Sequence, residues 1–461
     1  MKTLRFSGAF TAQGWISPAF IELDPAGKIV SISQQAPGAA AESIEGYAIP
    51  GFRNCHSHSF QFAMAGLAEH LGQNNNMDDF WSWREAMYDL ALKLGPDALE
   101  AIAAQLYAEM LARGYTSVVE FHYLHNDPNG NRYGNPAELA ERLIVAALRA
   151  GIRLTLVPVY YRQGDFGAPA GPKQRRFLSK SVEEFFSLVS ATEKAVKVAG
   201  AQLPGRLRSG LGVHSLRAAS EADFREIVSR RRPGQPFHMH VAEQAKEVNA
   251  CYNVLKKRPV EWLLENAPLG PDFSLVHCTH MTPQETQGLA KSGATVVLCP
   301  STEGNLGDGF FPFESYMKHQ GKWTIGTDSH IGLSPMEELR WLDYGQRLRN
   351  QKRNTICFAP REDSGEKLYR ESVERGAVSA GESSPAIAPG AYFDAAVLDS
   401  ALLPTTNPER LLSTIVFAAD SRWISRVYVS GKALVENGRH VQESGIRRDF
   451  LEQMRGLATR V

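Results

Sequence analysis

The sequence predicts an α/β chain whose centre is a (β/α)8 TIM-type barrel. Two observations carry this. Short apolar strand patterns alternate with helical patterns about eight times over roughly 300 residues, the rhythm of a parallel sheet wrapped by helices. Residues suited to ligation and catalysis stand at the C-terminal ends of many separate strands, where barrel enzymes build their sites. That second observation favours the barrel over the alternative, a doubly wound open sheet.

In chain order, residues 1 to about 48 read as short strands and turns. Strand patterns cover 3–6, 19–23 and 28–32, and the turn Asp24-Pro25-Ala26-Gly27 separates the last two. Residues 34–45 are rich in Ala, Gly and Pro and read as a linker. Helices are expected over 81–94, 96–113, 136–150, 181–199, 220–229, 258–267, 283–291 and about 335–350. Gly151 closes the third of these, and Ser181 with Glu184 three residues on is a capping-box pattern for the fourth. Strands are expected over 116–121, 153–159, 207–213, 236–241, 273–277, 294–298 and 323–327. After about 385 the pattern returns to β: a turn and strand over 389–399, a hairpin over 427–435, then a helix over about 446–456. Nothing is assigned to 351–385.

The 461 residues suffice for one large domain and a smaller one, and 43% apolar content is that of an ordinary globular chain. A formal net charge of zero gives no global argument for nucleic acid or an acidic membrane surface. No apolar stretch approaches the roughly 18 residues of a membrane span, and the N-terminus has no signal-peptide pattern. The five cysteines lack paired spacing and read as reduced and mostly buried, which suits a cytoplasmic protein.

The chemistry gathers at four strand ends. Ile49-Pro50-Gly51-Phe52-Arg53-Asn54-Cys55-His56-Ser57-His58 ends on two histidines whose side chains share one side of an extended chain, so both can reach one metal ion. Phe237-His238-Met239-His240-Val241-Ala242-Glu243, Ser274-Leu275-Val276-His277 and Trp323-Thr324-Ile325-Gly326-Thr327-Asp328 end three further strands on ligand-type residues. One such histidine is ordinarily a satisfied core residue; four matching strand ends are not explained that way. Imidazole and carboxylate donors suit zinc, with iron and manganese as alternatives. Arg217, in His214-Ser215-Leu216-Arg217, and Arg84, in Trp81-Ser82-Trp83-Arg84, bring guanidinium groups to the rim, and guanidinium pairs bidentately with carboxylate. Gln61 and Tyr123 add neutral hydrogen-bonding groups near strand ends. A substrate with two carboxylates and an amidine fits this set better than a neutral purine.

With PGxxNxHxH, HxxE, a histidine after the next strand and a late strand ending in Asp, the chain resembles the aminohydrolase branch of the amidohydrolase superfamily. The resemblance implies that the two chain ends, 1–48 and 385–461, join into a small β-sandwich domain beside a barrel of residues 49–384. It implies His56, His58, His240 and Asp328 as ligands of one divalent metal ion, most readily Zn2+, which can bring the pKa of a bound water to about 7. His214, where two-metal relatives carry a modified lysine, argues against a second ion. Asp328, Glu243 and His277 become the catalytic residues: Asp328 takes the proton of the attacking water, Glu243 shuttles a proton to the substrate nitrogen, and His277 polarises the attacked group. His238 and His280 rank below them.

The segments Asn54 to Gln61, Phe80 to Arg84, Val119 to Tyr123, Ser301 to Gly309 and Glu337 to Leu342 are similar to those of the formimidoylglutamate deiminases. That likeness implies hydrolysis of N-formimino-L-glutamate to N-formyl-L-glutamate and ammonia in histidine degradation. It assigns Arg217, Arg84, Tyr123, Gln61 and His214 to the substrate. The superfamily's habit implies a homodimer. The alternative, a related aminohydrolase acting on a cyclic amidine such as guanine, would not need Arg217 or Arg84.

Overall fold

The computed structural model describes residues 1–36, 40–69, 80–201, 205–384, 386–405 and 407–458. Among the described residues, eight parallel strands form the central sheet: β1 (Phe52–Ser57), β2 (Tyr115–His122), β3 (Arg153–Tyr160), β4 (Leu211–Val213), β5 (Phe237–Val241), β6 (Phe273–His277), β7 (Thr295–Leu298) and β8 (Lys322–Ile325). Each pairs with its sequence neighbour, in the order β8-β7-β6-β5-β4-β3-β2-β1. β1 to β3 are buried along their whole length, as strands with side chains packed on both faces must be.

The barrel closes where β8 returns to β1. The amides of Thr327 and Asp328 donate to the carbonyl of His56 at 3.1 and 2.9 Å, and the amide of His58 donates to the carbonyl of Asp328 at 3.2 Å. Asn54, fully buried, fastens the seam from below: its amide donates to Thr327 Oγ1 at 2.6 Å and its Oδ1 accepts from the Thr327 amide at 3.0 Å. Gly326 lies against this seam so closely that a Cβ there would stand 2.7 Å from His56 Cβ and 2.8 Å from its nitrogen.

The helices follow the expected rhythm. Glu138–Ala150 ends at Gly151 with φ 86°, the left-handed conformation that glycine adopts without steric cost. Val182–Gly200 starts at Ser181, whose side chain accepts from the Glu184 amide. The Glu184 carboxylate then receives the amide of Lys180, one residue before the cap.

Strands from both chain ends form a second, separate sheet. Lys2–Thr11, Gly14–Ile16, Ala19–Leu23, Ile29–Ser33 and Glu42–Pro50 join Ala395–Leu398, Ile424–Val429, Lys432–Glu436 and Arg439–His440. Glu42–Pro50 lies between Lys2–Thr11, parallel, and Ala395–Leu398, antiparallel, so it is the seam of the two chain ends. Leu4, Phe6, Ile21, Ile44, Phe393, Val397 and Tyr428 belong to the core of this sheet. Its last inward step, Gly51, delivers the chain into β1.

Several elements depart from expectation. The strand Glu42–Pro50 already occupies the end of the expected linker, while residues 37–39 of it lie outside the described residues, as does residue 385. The fourth barrel strand is broken at Gly210 into Leu207–Ser209, paired with β3, and β4. Helices Ala245–Leu255 and Pro408–Ala418 were not anticipated, and the unassigned stretch holds Ser364–Ser379, which packs on β1 and β8. Among the described residues no helix is long and apolar enough to cross a membrane.

Gly326→Ala forces a Cβ into the closing seam, and overpacking of this kind costs roughly 1–3 kcal/mol. The expected result is a lower urea midpoint with an unchanged m-value; a midpoint equal to that of the wild type would show that the seam has room to spare.

Candidate active site

The seam places ligands from the first and last strands side by side. His56 and His58 leave the end of β1 on one side, and Asp328 follows β8 with φ 48°, a left-handed conformation uncommon for aspartate. His240, from β5, meets them across the barrel mouth. His56 Nε2 and His240 Nε2 are 2.9 Å apart, His58 Nε2 and His240 Nε2 3.3 Å, and His58 Nε2 and Asp328 Oδ1 3.1 Å. All four residues are buried.

This arrangement fits a bound cation. Nitrogens bonded tetrahedrally to zinc at about 2.0–2.1 Å stand roughly 3.4 Å apart, close to the separations found. The tautomers agree: His58 Nδ1 faces the Phe121 carbonyl at 3.0 Å and His240 Nδ1 the His214 carbonyl at 2.9 Å. A carbonyl only accepts, so each Nδ1 carries the proton and each Nε2 offers a lone pair to the centre. Burial, then the neighbouring imidazoles, hold His56 well below the ordinary histidine range; burial, then His214 and the other imidazoles, do the same to His240. Both are therefore neutral, the form a metal binds. Cys299 also stands near His277 and Asp328, but burial holds its thiol well above the usual range and so protonated. Among the described residues the cysteines are free.

Glu120, buried in β2, locks the HxH turn from behind. It accepts from Ser57 Oγ at 2.6 Å, the Ser59 amide at 2.7 Å and Tyr107 OH at 3.1 Å. Burial raises its carboxyl despite these donors. Sequence reasoning quoted Glu120 but gave it no role.

Beside the metal-type cluster sit the expected catalytic residues. His277 Nε2 is 3.5 Å from Glu243 Oε1 and 3.7 Å from Asp328 Oδ2. Its Nδ1 faces Glu303 Oε1 at 3.2 Å. Burial pulls the His277 imidazole down, but Glu243, the Glu303 hydrogen bond and Asp328 outweigh it and hold it up at about 10. Burial raises Glu243 to about 7 against the pull of His277 and Arg217. Asp328 is raised by burial but brought below the ordinary range by the hydrogen bond and charge of His58, with His277 assisting. His238 does not join the site: its Nε2 faces the Ser379 carbonyl at 3.0 Å. His280 is half-buried on the following loop.

These groups open into a pocket lined by His58, His240, Glu243 and Asp328 at its floor. All five residues expected to hold substrate, Gln61, Arg84, Tyr123, His214 and Arg217, line it too. Arg217 is 5% exposed, with a terminal nitrogen 3.9 Å from Glu243 Oε2. Arg84 and Arg217 both lie over the Trp81 ring, at 4.3 and 5.6 Å. The Nε of each arginine is buried without a hydrogen-bond partner among the described residues. Gln61 donates to Tyr123 OH at 2.8 Å, leaving its own Oε1 without a partner. Tyr88, Tyr161 and Leu306 line the pocket as well and were not singled out from sequence. The strand end after β3 could have pointed to Tyr161.

Comparison with known proteins follows the same lines. The profile of the amidohydrolase family matches residues 47–434. The chain is 41% identical over 447 residues to a formimidoylglutamate deiminase of Pseudomonas aeruginosa, covering 96% of this chain and 97% of that one. An amidohydrolase from Brucella melitensis superposes with a TM-score of 0.93 at 38% identity, covering 99% and 100% of the two chains. A zinc-bound adenosine deaminase from Xanthomonas campestris, only 18% identical, shares the fold at a TM-score of 0.81 over 99% and 98%.

Zinc added at about a hundredfold its dissociation constant to chelator-stripped protein should stabilise it by about 2.7 kcal/mol. His240→Ala should lose both that gain and stoichiometric metal. A variant that keeps full metal content by elemental analysis would remove His240 from the ligand set.

Proposed function

The chain belongs to the amidohydrolase family, and from that premise we propose that it hydrolyses N-formimino-L-glutamate to N-formyl-L-glutamate and ammonia. One observation carries the choice of substrate. Two guanidinium groups in one pocket, Arg217 buried and Arg84 half-buried, each keep a buried Nε–H without an acceptor among the described residues, and an unsatisfied buried donor costs about 1–3 kcal/mol. A ligand with two carboxylates supplies what they lack. A neutral purine does not.

His56, His58, His240 and Asp328 are the residues that would hold one divalent cation, zinc by the chemistry of the donors. When bound there, such a cation would supply Lewis-acid activation of water. Asp328 takes one proton from that water as its oxygen adds to the formimino carbon. His277, held cationic by the carboxylates around it, donates a hydrogen bond from Nε2 to the attacking oxygen, whose negative charge is greatest once Asp328 has taken its proton. Glu243 transfers a proton to the departing nitrogen, the C–N bond breaks, the Glu243 carboxylate takes back the hydroxyl proton as the formyl carbonyl forms, and Asp328 passes its proton to the released ammonia. A carboxyl raised to about 7 can both give and take a proton near neutral pH. The α-carboxylate is the nearer of the two carboxylates to the formimino group, and Arg217 is the arginine in contact with Glu243; Arg217 is therefore paired with it. Arg84, with Tyr123, Gln61 and His214, takes the distal carboxylate. The metabolic setting is histidine degradation, in the cytoplasm and as a homodimer.

The test is ammonia release by zinc-loaded protein from N-formimino-L-glutamate, with guanine alongside. Glu243→Gln should lower kcat by about 10²–10⁴. Arg217→Ala should lower kcat/KM by about 2–5 kcal/mol worth of transition-state binding. Turnover of guanine, with none of the glutamate compound, would overturn the reading.

A further inference from the structure

The segment Ser301 to Gly309 carries part of the resemblance but takes no part in the chemistry above. It comprises most of the short helix Pro300–Leu306 and a turn at Gly307, which has φ 68°. Glu303 from this helix accepts the Cys299 amide at 2.9 Å while holding His277 Nδ1. Asp308 follows the turn, 3% exposed, with its amide donating to the Glu303 carbonyl at 2.9 Å. Asp308 Oδ1 accepts from the Gln244 side-chain amide, and Oδ2 is buried with no partner among the described residues. One oxygen of Asp308, one of Glu243 and a ring nitrogen of His277 all lie within 4.8 Å of one another. His277 Nε2 is likewise buried without a hydrogen-bond partner.

Two buried carboxylates this close repel each other when both are ionised. Burial, then Glu243, push the Asp308 carboxyl up to about 10. A ligand cation placed between them would let both ionise and would give the free Asp308 oxygen its donor. Of this cluster Glu243 lines the pocket, together with Arg84, Arg217 and Asp328, and Asp308 and His277 adjoin it through Glu243.

We propose that the carboxylates of Glu243 and Asp308 form a subsite for the amidinium end of the substrate, with Asp308 the second acceptor for its N–H groups. This rests on the proposed function. A planar amidinium presents more than one N–H, and Glu243 alone can satisfy one side of it while remaining in position to transfer a proton. The subsite then selects a cationic C–N group over its neutral carbonyl counterpart, which also favours release of the formyl product.

The test is calorimetry on zinc-loaded wild type, Asp308→Asn and Asp308→Glu with two matched pairs of ligands. One pair is N-acetimidoyl-L-glutamate and N-acetyl-L-glutamate; the other is acetamidinium and acetamide. The wild type should bind the cation of each pair at least tenfold more tightly. Asp308→Asn should lose about tenfold for the cation and under twofold for the neutral partner, and Asp308→Glu should restore the preference. Equal loss for both members, or no loss, overturns the subsite. The small pair works without a glutamate moiety. If its preference depends on Asp308 while neither glutamate compound binds, the subsite stands and the dicarboxylate reading falls. If both glutamate compounds bind alike, the reverse holds. A second divalent ion per chain, lost in Asp308→Asn, would make the cluster a metal site and overturn the proposal. Should Asp308→Asn fail to fold, absence of a preference in the wild type, or in Asp308→Glu, overturns it.

Discussion

The closing hydrogen bonds between β1 and β8 are the constraint on which the rest depends. The His56 carbonyl accepts two amides from β8's end, and the His58 amide returns the contact to Asp328. A barrel must close somewhere, and parallel strands supply slanted backbone hydrogen bonds for it. Here the closure is made by the very residues whose side chains form the candidate metal centre. Candidate ligands separated by 270 residues in sequence, His58 and Asp328, are thereby fixed relative to each other by backbone, which is stiffer than any side-chain contact. Asn54 and Gly326 serve this seam, one by hydrogen bonds and the other by having no side chain.

Electrostatics then follows from depth. At the floor, burial strips imidazoles of their protons, and His58 and His240 are turned so that their lone pairs converge. One step away, His277 is surrounded by Glu243, Glu303 and Asp328, and the same burial is overcome by their combined charge. Histidines a few ångströms apart therefore hold opposite protonation states, which is how one pocket can both bind a cation and donate a proton.

Much of this was legible in the sequence because strands have a period of two. His56 with His58, and His240 with Glu243 at a strand end, can be placed without a structure, and the arginines could be found by their position after β4 and in the helix Phe80–Lys93 that follows β1. The parts that were not legible have physical reasons. Ala245–Leu255 buries only Glu247, Val248 and Cys251, so its apolar pattern is faint. Ser364–Ser379 contains Gly365 and Gly376, which read as helix breakers; a Cβ on Gly376 would stand 2.9 Å from Arg53 Cβ, so the helix has glycine there because it packs against β1 at close range. Glu120 and Asp308 matter through partners remote in sequence: Tyr107 and Ser57 for one, Gln244 and Glu243 for the other. Spacing rules do not reach such pairs.

The pocket is best understood as a dipole. Arg84 and Arg217 stack on Trp81, a ring whose face favours cations and whose bulk excludes water. That packing lets two positive charges stay close to each other in a confined space. The carboxylates Glu243 and Asp328 line the same pocket, Glu243 beside Arg217. A ligand bearing anions at one end and a cation at the other lowers the energy of both groups at once, and reversal of its direction raises both. Orientation is thus set by long-range charge before any hydrogen bond forms. The contact between Arg217 and Glu243 is the hinge of this arrangement: at 3.9 Å it is loose enough for a substrate's carboxylate and its reacting nitrogen to take over the two partners separately. Binding would then exchange one long internal ion pair for two shorter external ones, and Glu243 would be released to move its proton only when a substrate of the right length is present.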